Sequence, residues 1–209
     1  MIRAVVFDLG ETLVDETRQW TMVAEALDVP VFTLMGVLGG MIERRESHRR
    51  MFDVLGIAPI LFTDTGYRHE VSDFYPDALP GLRRLAADGY RLGIAGNQPD
   101  GIAEGLRALD LPVELVASSA LWGVEKPSPA FFARIGQELA LPAAEIAYVG
   151  DRLDNDVLPA QRAGMMGVFL RRGPWGYLHA GWPEAAEVQH RIDDLTQLAD
   201  VLPRVDRPA

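Results

Sequence analysis

The stretch FDLGETL follows the apolar run from Ile2 to Phe7 and delivers one carboxylate, Asp8, into a Gly-Glu-Thr turn. A carboxylate placed there either closes a strand as a turn residue or acts as a nucleophile. Three other apolar runs also end on polar groups. YRLGIAG leads into Gly96 and Asn97, VELVASS is followed by a loop carrying Lys126, and EIAYVG leads to Asp151 and Asp156. A carboxylate can act as a nucleophile only if positive charge neutralises both it and the group it attacks. The chain holds nineteen Arg and one Lys, so that lysine marks a place where a compact point charge is wanted and a planar fork is not.

The elements that position these groups can be read from periodicity and punctuation. After the first strand, helical spacing covers residues 17–27 and returns over 31–55, where Gly36 and Gly39-Gly40 are expected to interrupt it. Within that stretch MIERRESHRRMF reads as an amphipathic helix with a solvated basic face. From Pro76 the pattern becomes regular. It gives a helix over 80–88, a strand over 90–96, a helix after Pro99 and a strand near 113–119. A helix opened by Ser128-Pro129, a strand over 145–150, a helix over 154–163 closed by Gly164 and a strand over 167–170 follow. HRIDDLTQLADVL supplies a short edge strand and a final helix. Strands alternating with helices mean a doubly wound α/β core with a parallel sheet covered on both faces. In such sheets ligands bind beyond the carboxyl ends of the strands, where all these polar groups fall.

Composition narrows the function. At 209 residues, 48% hydrophobic and 24% charged, the chain suits one globular domain with a smaller insertion. The absence of cysteine excludes disulfides, thiolate catalysis and Cys-based metal sites. A formal charge of −10 disfavours nucleic acid as a partner and obliges an anionic substrate to find local positive charge. No apolar run is long enough for a membrane helix, and no signal-peptide pattern opens the chain, so a cytoplasmic location is the expectation.

The four segments, in this order and spacing, resemble the motifs of the haloacid dehalogenase-like (HAD) superfamily of hydrolases. FDLGETL matches the first, with Asp8 as nucleophile; GIAGNQP the second; VEKPSPAFF the third, with Lys126; and YVGDRLDND the fourth, with Asp151 and Asp156. The resemblance implies a Rossmann-like core over 1–14 and 77–209 and a small helical cap of the first type over 15–76. It implies a Mg²⁺ site built from Asp8, the backbone carbonyl of Gly10 and Asp151, chemistry that suits a hard cation with oxygen ligands. Lys126 would pair with Asp8 and the phosphoryl oxygens. Asp156 would orient metal-bound water, the plainer alternative being an acid favoured in a helix's first turn. Gly96 and Asn97 are the candidate substrate-binding positions. Asn155, Trp175 and Trp182 are expected to serve loop packing. The implied function is a Mg²⁺-dependent phosphatase of small phosphorylated molecules acting through an aspartyl intermediate.

Two positions depart from the family pattern. The second Asp of the first motif, which handles the proton, is replaced by Gly10, and the Ser or Thr of the second motif by Gly96. A lost general acid costs on the order of 10²–10⁴ in rate, so weak activity with a steep dependence on the leaving group is expected. A flat dependence would point to Glu11 or a residue of the cap as the substitute. Thr12 is expected to hydrogen-bond locally. The alternatives are a non-catalytic module that keeps the metal site, and carbon–halogen hydrolysis, whose usual Tyr at the second position is absent here.

Overall fold

The computed structural model describes residues 1–60, 65–99 and 101–203. It opens with β1 (Ala4–Phe7), continues through α1 (Thr17–Ala26), α2 (Val31–Glu43) and α3 (Met51–Leu55), and then enters a regular alternation. That alternation runs α4 (Ala78–Ala87), β2 (Arg91–Gly96), α5 (Ile102–Arg107), β3 (Leu115–Ser118), α6 (Ser119–Trp122), α7 (Pro129–Leu139) and β4 (Ile146–Gly150). It ends with α8 (Leu158–Arg162), β5 (Met166–Leu170), α9 (Gly173–His179), β6 (His190–Ile192) and α10 (Leu198–Val201).

The six strands form one sheet in the order β3-β2-β1-β4-β5-β6, with every pairing parallel. All four residues of β1 are buried, as a central parallel strand covered on both faces requires. Its alternation sorts them: Val5 and Phe7 join the core under α4, α5 and α10, while Ala4 and Val6 join the core under α7 and α8. The chain leaves β1 for β2 on one side and reaches β4 on the other, so the switch point lies between β1 and β4. Phe7 pairs with Ile94 and with Val149, which brings the ends of β1, β2 and β4 level. The architecture is the expected doubly wound, Rossmann-like α/β fold.

The segment between β1 and α4 leaves and re-enters the sheet through two adjacent passes. Val14 forms an antiparallel bridge with Phe74, and the Asp15 N–H donates to the Asp73 carbonyl at 2.8 Å. Its helices bury Trp20, Val23, Ala24, Leu34, Leu38 and Ile42 against one another and against Trp175 of α9. Fully burying a Val, Leu or Ile side chain contributes about 1.5–3 kcal/mol, so this cluster ties the insertion to α9, where Trp175 packs against helices rather than within a loop. Residues 61–64 of this segment lie outside the described residues. Among the described residues no single helix is long and apolar enough to cross a membrane.

Three local expectations are corrected. The glycines of α2 do not interrupt it: α2 runs unbroken through Gly36, Gly39 and Gly40, because its buried face of Leu34, Leu38, Met41 and Ile42 outweighs their weak propensity. MIERRESHRRMF is not one helix. The chain breaks at Arg45, whose φ is +58°, and restarts at Ser47, whose hydroxyl accepts the Arg49 N–H. Arg45 spends its fork on Glu184, at 2.5 and 2.9 Å, beside the Trp182 ring. The helix expected over 154–163 opens instead with a wide turn over Leu153–Val157, in which the Val157 N–H reaches back to the Arg152 carbonyl at 3.1 Å. Such a widened turn rotates one residue out of its usual direction, here Asp156 toward the interior.

Candidate active site

Asp8 is the first residue beyond β1 and is almost wholly buried. Its N–H continues the ladder to the Val149 carbonyl at 2.9 Å, which holds the residue at the switch point. Lys126, in the loop before α7, reaches the same place: its Nζ lies 2.8 Å from Asp8 Oδ1 and 2.6 Å from Asp156 Oδ1. Burial alone would lower the Lys126 pKa, but Asp156 and Asp8 outweigh it and hold the ammonium charged well beyond its ordinary range. Asn97 fixes the lysine's backbone from both directions. Its Oδ1 accepts the Lys126 N–H at 2.8 Å, and its Nδ2 donates to the Lys126 carbonyl at 2.9 Å. The rest of Asn97 is exposed beside the site.

Asp156 is fully buried and has both oxygens engaged, Oδ1 by Lys126 and Oδ2 by the Arg152 N–H at 3.0 Å. It is seated against bare backbone: a Cβ on Gly150 would lie 2.6 Å from Asp156 Cβ, so only glycine fits there. Burial pushes the Asp156 carboxyl up to about 6 despite the pull of Lys126. Asp151, directly after β4, is buried with its Oδ2 unpartnered among the described residues. Burial, then Asp156 and Asp8, push its carboxyl well above the usual range.

One oxygen from each of Asp8, Asp151 and Asp156 lies within 4.8 Å of the others. Against three buried carboxylates stands one ammonium, a formal surplus of two negative charges in a dry place. An orphaned carboxylate oxygen beside that surplus is what a divalent cation with oxygen ligands would satisfy. The residues fit a metal. The turn's backbone bonds go to the carbonyls of Leu9 and Val14 rather than to that of Gly10, which is consistent with Gly10 as a third ligand.

The two glycine departures are filled by neighbours. A Cβ on Gly96 would lie 2.4 Å from Asp8 Oδ1, and a Cβ on Gly10 would lie 2.0 Å from Glu16 Oε1. Glu11, with φ of +52°, turns away. Its Oε2 accepts from Tyr75 Oη at 2.6 Å and its Oε1 accepts the Glu16 N–H at 3.0 Å. Thr12 is buried with its hydroxyl unpartnered among the described residues, contrary to the local bond expected of it. Its carbonyl accepts from Arg172 at 2.9 Å. Glu16 was not among the sequence-based candidates. Part of the residue reaches the surface, and burial followed by Glu11 pushes its carboxyl up to about 8. The only hint in the sequence is an acid just ahead of a helix that faces an unusual glycine in the preceding turn.

The structure therefore brings Asp8, Lys126, Asp151 and Asp156 into one cluster, with Gly10, Gly96 and Asn97 at its rim. A family model for haloacid dehalogenase-like hydrolases matches residues 2–164. The chain is 31% identical over 205 residues to a glyceraldehyde 3-phosphate phosphatase of Methanopyrus kandleri, an alignment covering 84% of this chain and 86% of that one. It is 29% identical over 232 residues to a phosphoglycolate phosphatase of Yersinia pestis, covering 100% and 95% respectively. The solved structure of a predicted phosphoglycolate phosphatase from Haemophilus somnus shares the fold, with a TM-score of 0.73 at 20% identity over 96% of this chain and 97% of that one. Sheet, motif order and relatives agree over most of the sequence, and the chain belongs to the haloacid dehalogenase-like hydrolase family.

Proposed function

We propose that this protein is a Mg²⁺-dependent phosphatase of small phosphorylated molecules that forms an aspartyl phosphate on Asp8. The observation that carries the reading is the pairing of Asp8 with Lys126 at 2.8 Å, beside the unpartnered Asp151 oxygen, at the switch point of a parallel sheet. The relatives' names support it, since glyceraldehyde 3-phosphate and phosphoglycolate are both small alkyl phosphates.

Asp8, Asp151 and the Gly10 carbonyl would hold the metal, which when bound supplies charge neutralisation for nucleophile and phosphoryl group. Lys126 orients Asp8 and offers its ammonium to a transferring oxygen. Asp156 holds Lys126 in place, and Asn97 sets the height of the lysine's backbone above the sheet edge. Residues 15–76 act as the cap that excludes water and selects the substrate.

The test is a screen of small phosphate esters with and without Mg²⁺, run beside Asp8→Asn. Metal-dependent phosphate release by the wild type and none by the variant is the expected result. Equal release by both would remove Asp8 from the chemistry.

A further inference from the structure

We propose that Glu16 is the proton-transferring residue of this site, donating to the leaving group and then accepting from the hydrolytic water. The inference rests on Asp8 being the nucleophile of a phosphatase, and it replaces the expectation that no group handles the proton.

An alkoxide is a poor leaving group, and its departure needs a proton from a group beside the nucleophile. Lys126 is committed to Asp8 and Asp156. Glu11 is committed to Tyr75 and to the Glu16 backbone. Asp156 has both oxygens engaged. Glu16 is different. It stands at the N-cap of α1, where a carboxylate ordinarily accepts from the free N–H groups of the first turn, yet its side chain makes no such bond. It turns back toward the β1 turn instead. Trp20 Nε1 donates to Oε2 at 3.1 Å, which anchors one oxygen. The other, Oε1, has no hydrogen-bond partner among the described residues and projects into the volume left by the missing side chain of Gly10. It lies 2.0 Å from where a Cβ on Gly10 would be, so an aspartate carboxylate hung from that position would begin where the Glu16 carboxyl now ends. A residue six positions along the chain has taken over the space beside the turn that follows Asp8.

Asp8 Oδ bonds to phosphorus as the phosphorus–alkoxide bond breaks, and the Glu16 carboxyl proton passes to the departing oxygen, releasing the alcohol. A water oxygen then attacks the phosphorus of the aspartyl phosphate while Glu16, now a carboxylate, takes one of its protons. The Asp8–phosphorus bond breaks, phosphate leaves, and Glu16 again carries its proton.

The experiment compares 2-phosphoglycolate with p-nitrophenyl phosphate in the wild type, Glu16→Gln and Gly10→Asp/Glu16→Ala, with thermal melts alongside. Glu16→Gln should lower kcat/KM for the alkyl ester by about 10²–10⁴-fold. The aryl ester should fall by less than about tenfold, because its phenolate departs with little help. Acid-quenched Glu16→Gln turning over the aryl ester should accumulate phosphoenzyme, since the second half also loses its base. Gly10→Asp/Glu16→Ala should return alkyl turnover to within about tenfold of the wild type, as the carboxyl is then supplied from the turn itself. If Glu16→Gln fails to fold, Glu16→Asp is read in its place and should keep the aryl ester while losing the alkyl one. Equal losses for both esters, or no loss for either, would overturn the assignment and leave the phosphatase reading standing. A wild type that hydrolyses neither ester, under conditions where it binds Mg²⁺, would overturn both.

Discussion

Asp8 and Gly96 share a single volume: the Asp8 Oδ1 sits 2.4 Å from the position a Cβ on Gly96 would occupy. The Asp8 carboxylate leans into that space while remaining 2.8 Å from Lys126 Nζ. Glycine at 96 is thus a condition of the Asp8–Lys126 pairing as it stands. Gly96→Ala should displace the carboxylate from the lysine and lower kcat/KM by about tenfold or more, because small misplacements of a reacting group are costly. Steady-state kinetics on an aryl phosphate checks this, and unchanged turnover would show that Asp8 finds an equally good position elsewhere.

Among the described residues, Lys126 is the cation ion-paired with Asp8 and Asp156 in the acidic cluster they form with Asp151. Removing one member of a buried, hydrogen-bonded ion pair costs roughly 3–5 kcal/mol. Lys126→Met should therefore lose activity and stability together, whereas Lys126→Arg should lose activity because a planar fork does not fit between two carboxylates arranged for a point charge. Melts and turnover for both variants decide it. An Arg variant with near wild-type turnover would make the lone lysine incidental.

The unpartnered Asp151 oxygen gives a prediction whose sign depends on the metal. Without divalent cations, Asp151→Asn should be as stable as the wild type or more so, since it removes one of three crowded carboxylates. With Mg²⁺ at a hundred times its dissociation constant the wild type should gain about 2.7 kcal/mol and the variant much less. Calorimetry with both proteins, with Glu11→Gln as control, tests the ligand set. Equal Mg²⁺ affinity in wild type and Asp151→Asn would refute it.

His179 is buried under Trp182 with its Nδ1 accepting the Leu153 N–H at 3.0 Å, and burial lowers its pKa to about 4. The unfolded imidazole takes up a proton near pH 6.5, so between there and about 4 the unfolded state binds more protons than the folded one. Stability should fall as the pH drops through that window, by roughly 3 kcal/mol from this residue, and stop falling on its account below it. The His179 ring resonance followed by NMR should stay neutral until about pH 4. A midpoint near 6.5 would contradict the burial argument.

Much of the site was legible in the chain because a parallel sheet converts order into proximity. Asp8, Lys126 and Asp151 each follow their own strand, and parallel strands in register carry all their ends to one edge, so motif order alone put them together. Pro129 behind Ser128, and Gly164 behind its helix, marked boundaries by backbone chemistry that needs no tertiary partner. The course of α2 was not legible. Gly36, Gly39 and Gly40 weaken a helix locally, and only the packing of Leu34, Leu38 and Ile42 against Trp175, far along the sequence, outweighs that cost.

The same division separates the four motif residues from Glu16, and Asp156 from its seat on Gly150. The sequence by itself determined which groups stand at the strand ends, and that Gly10 and Gly96 leave two gaps among them. Only the tertiary structure decided what fills those gaps, because a missing side chain leaves a volume and sequence does not say which neighbour will enter it. Asp8 enters the one at Gly96, and the turn of chain from Gly10 into α1 brings Glu16 into the other.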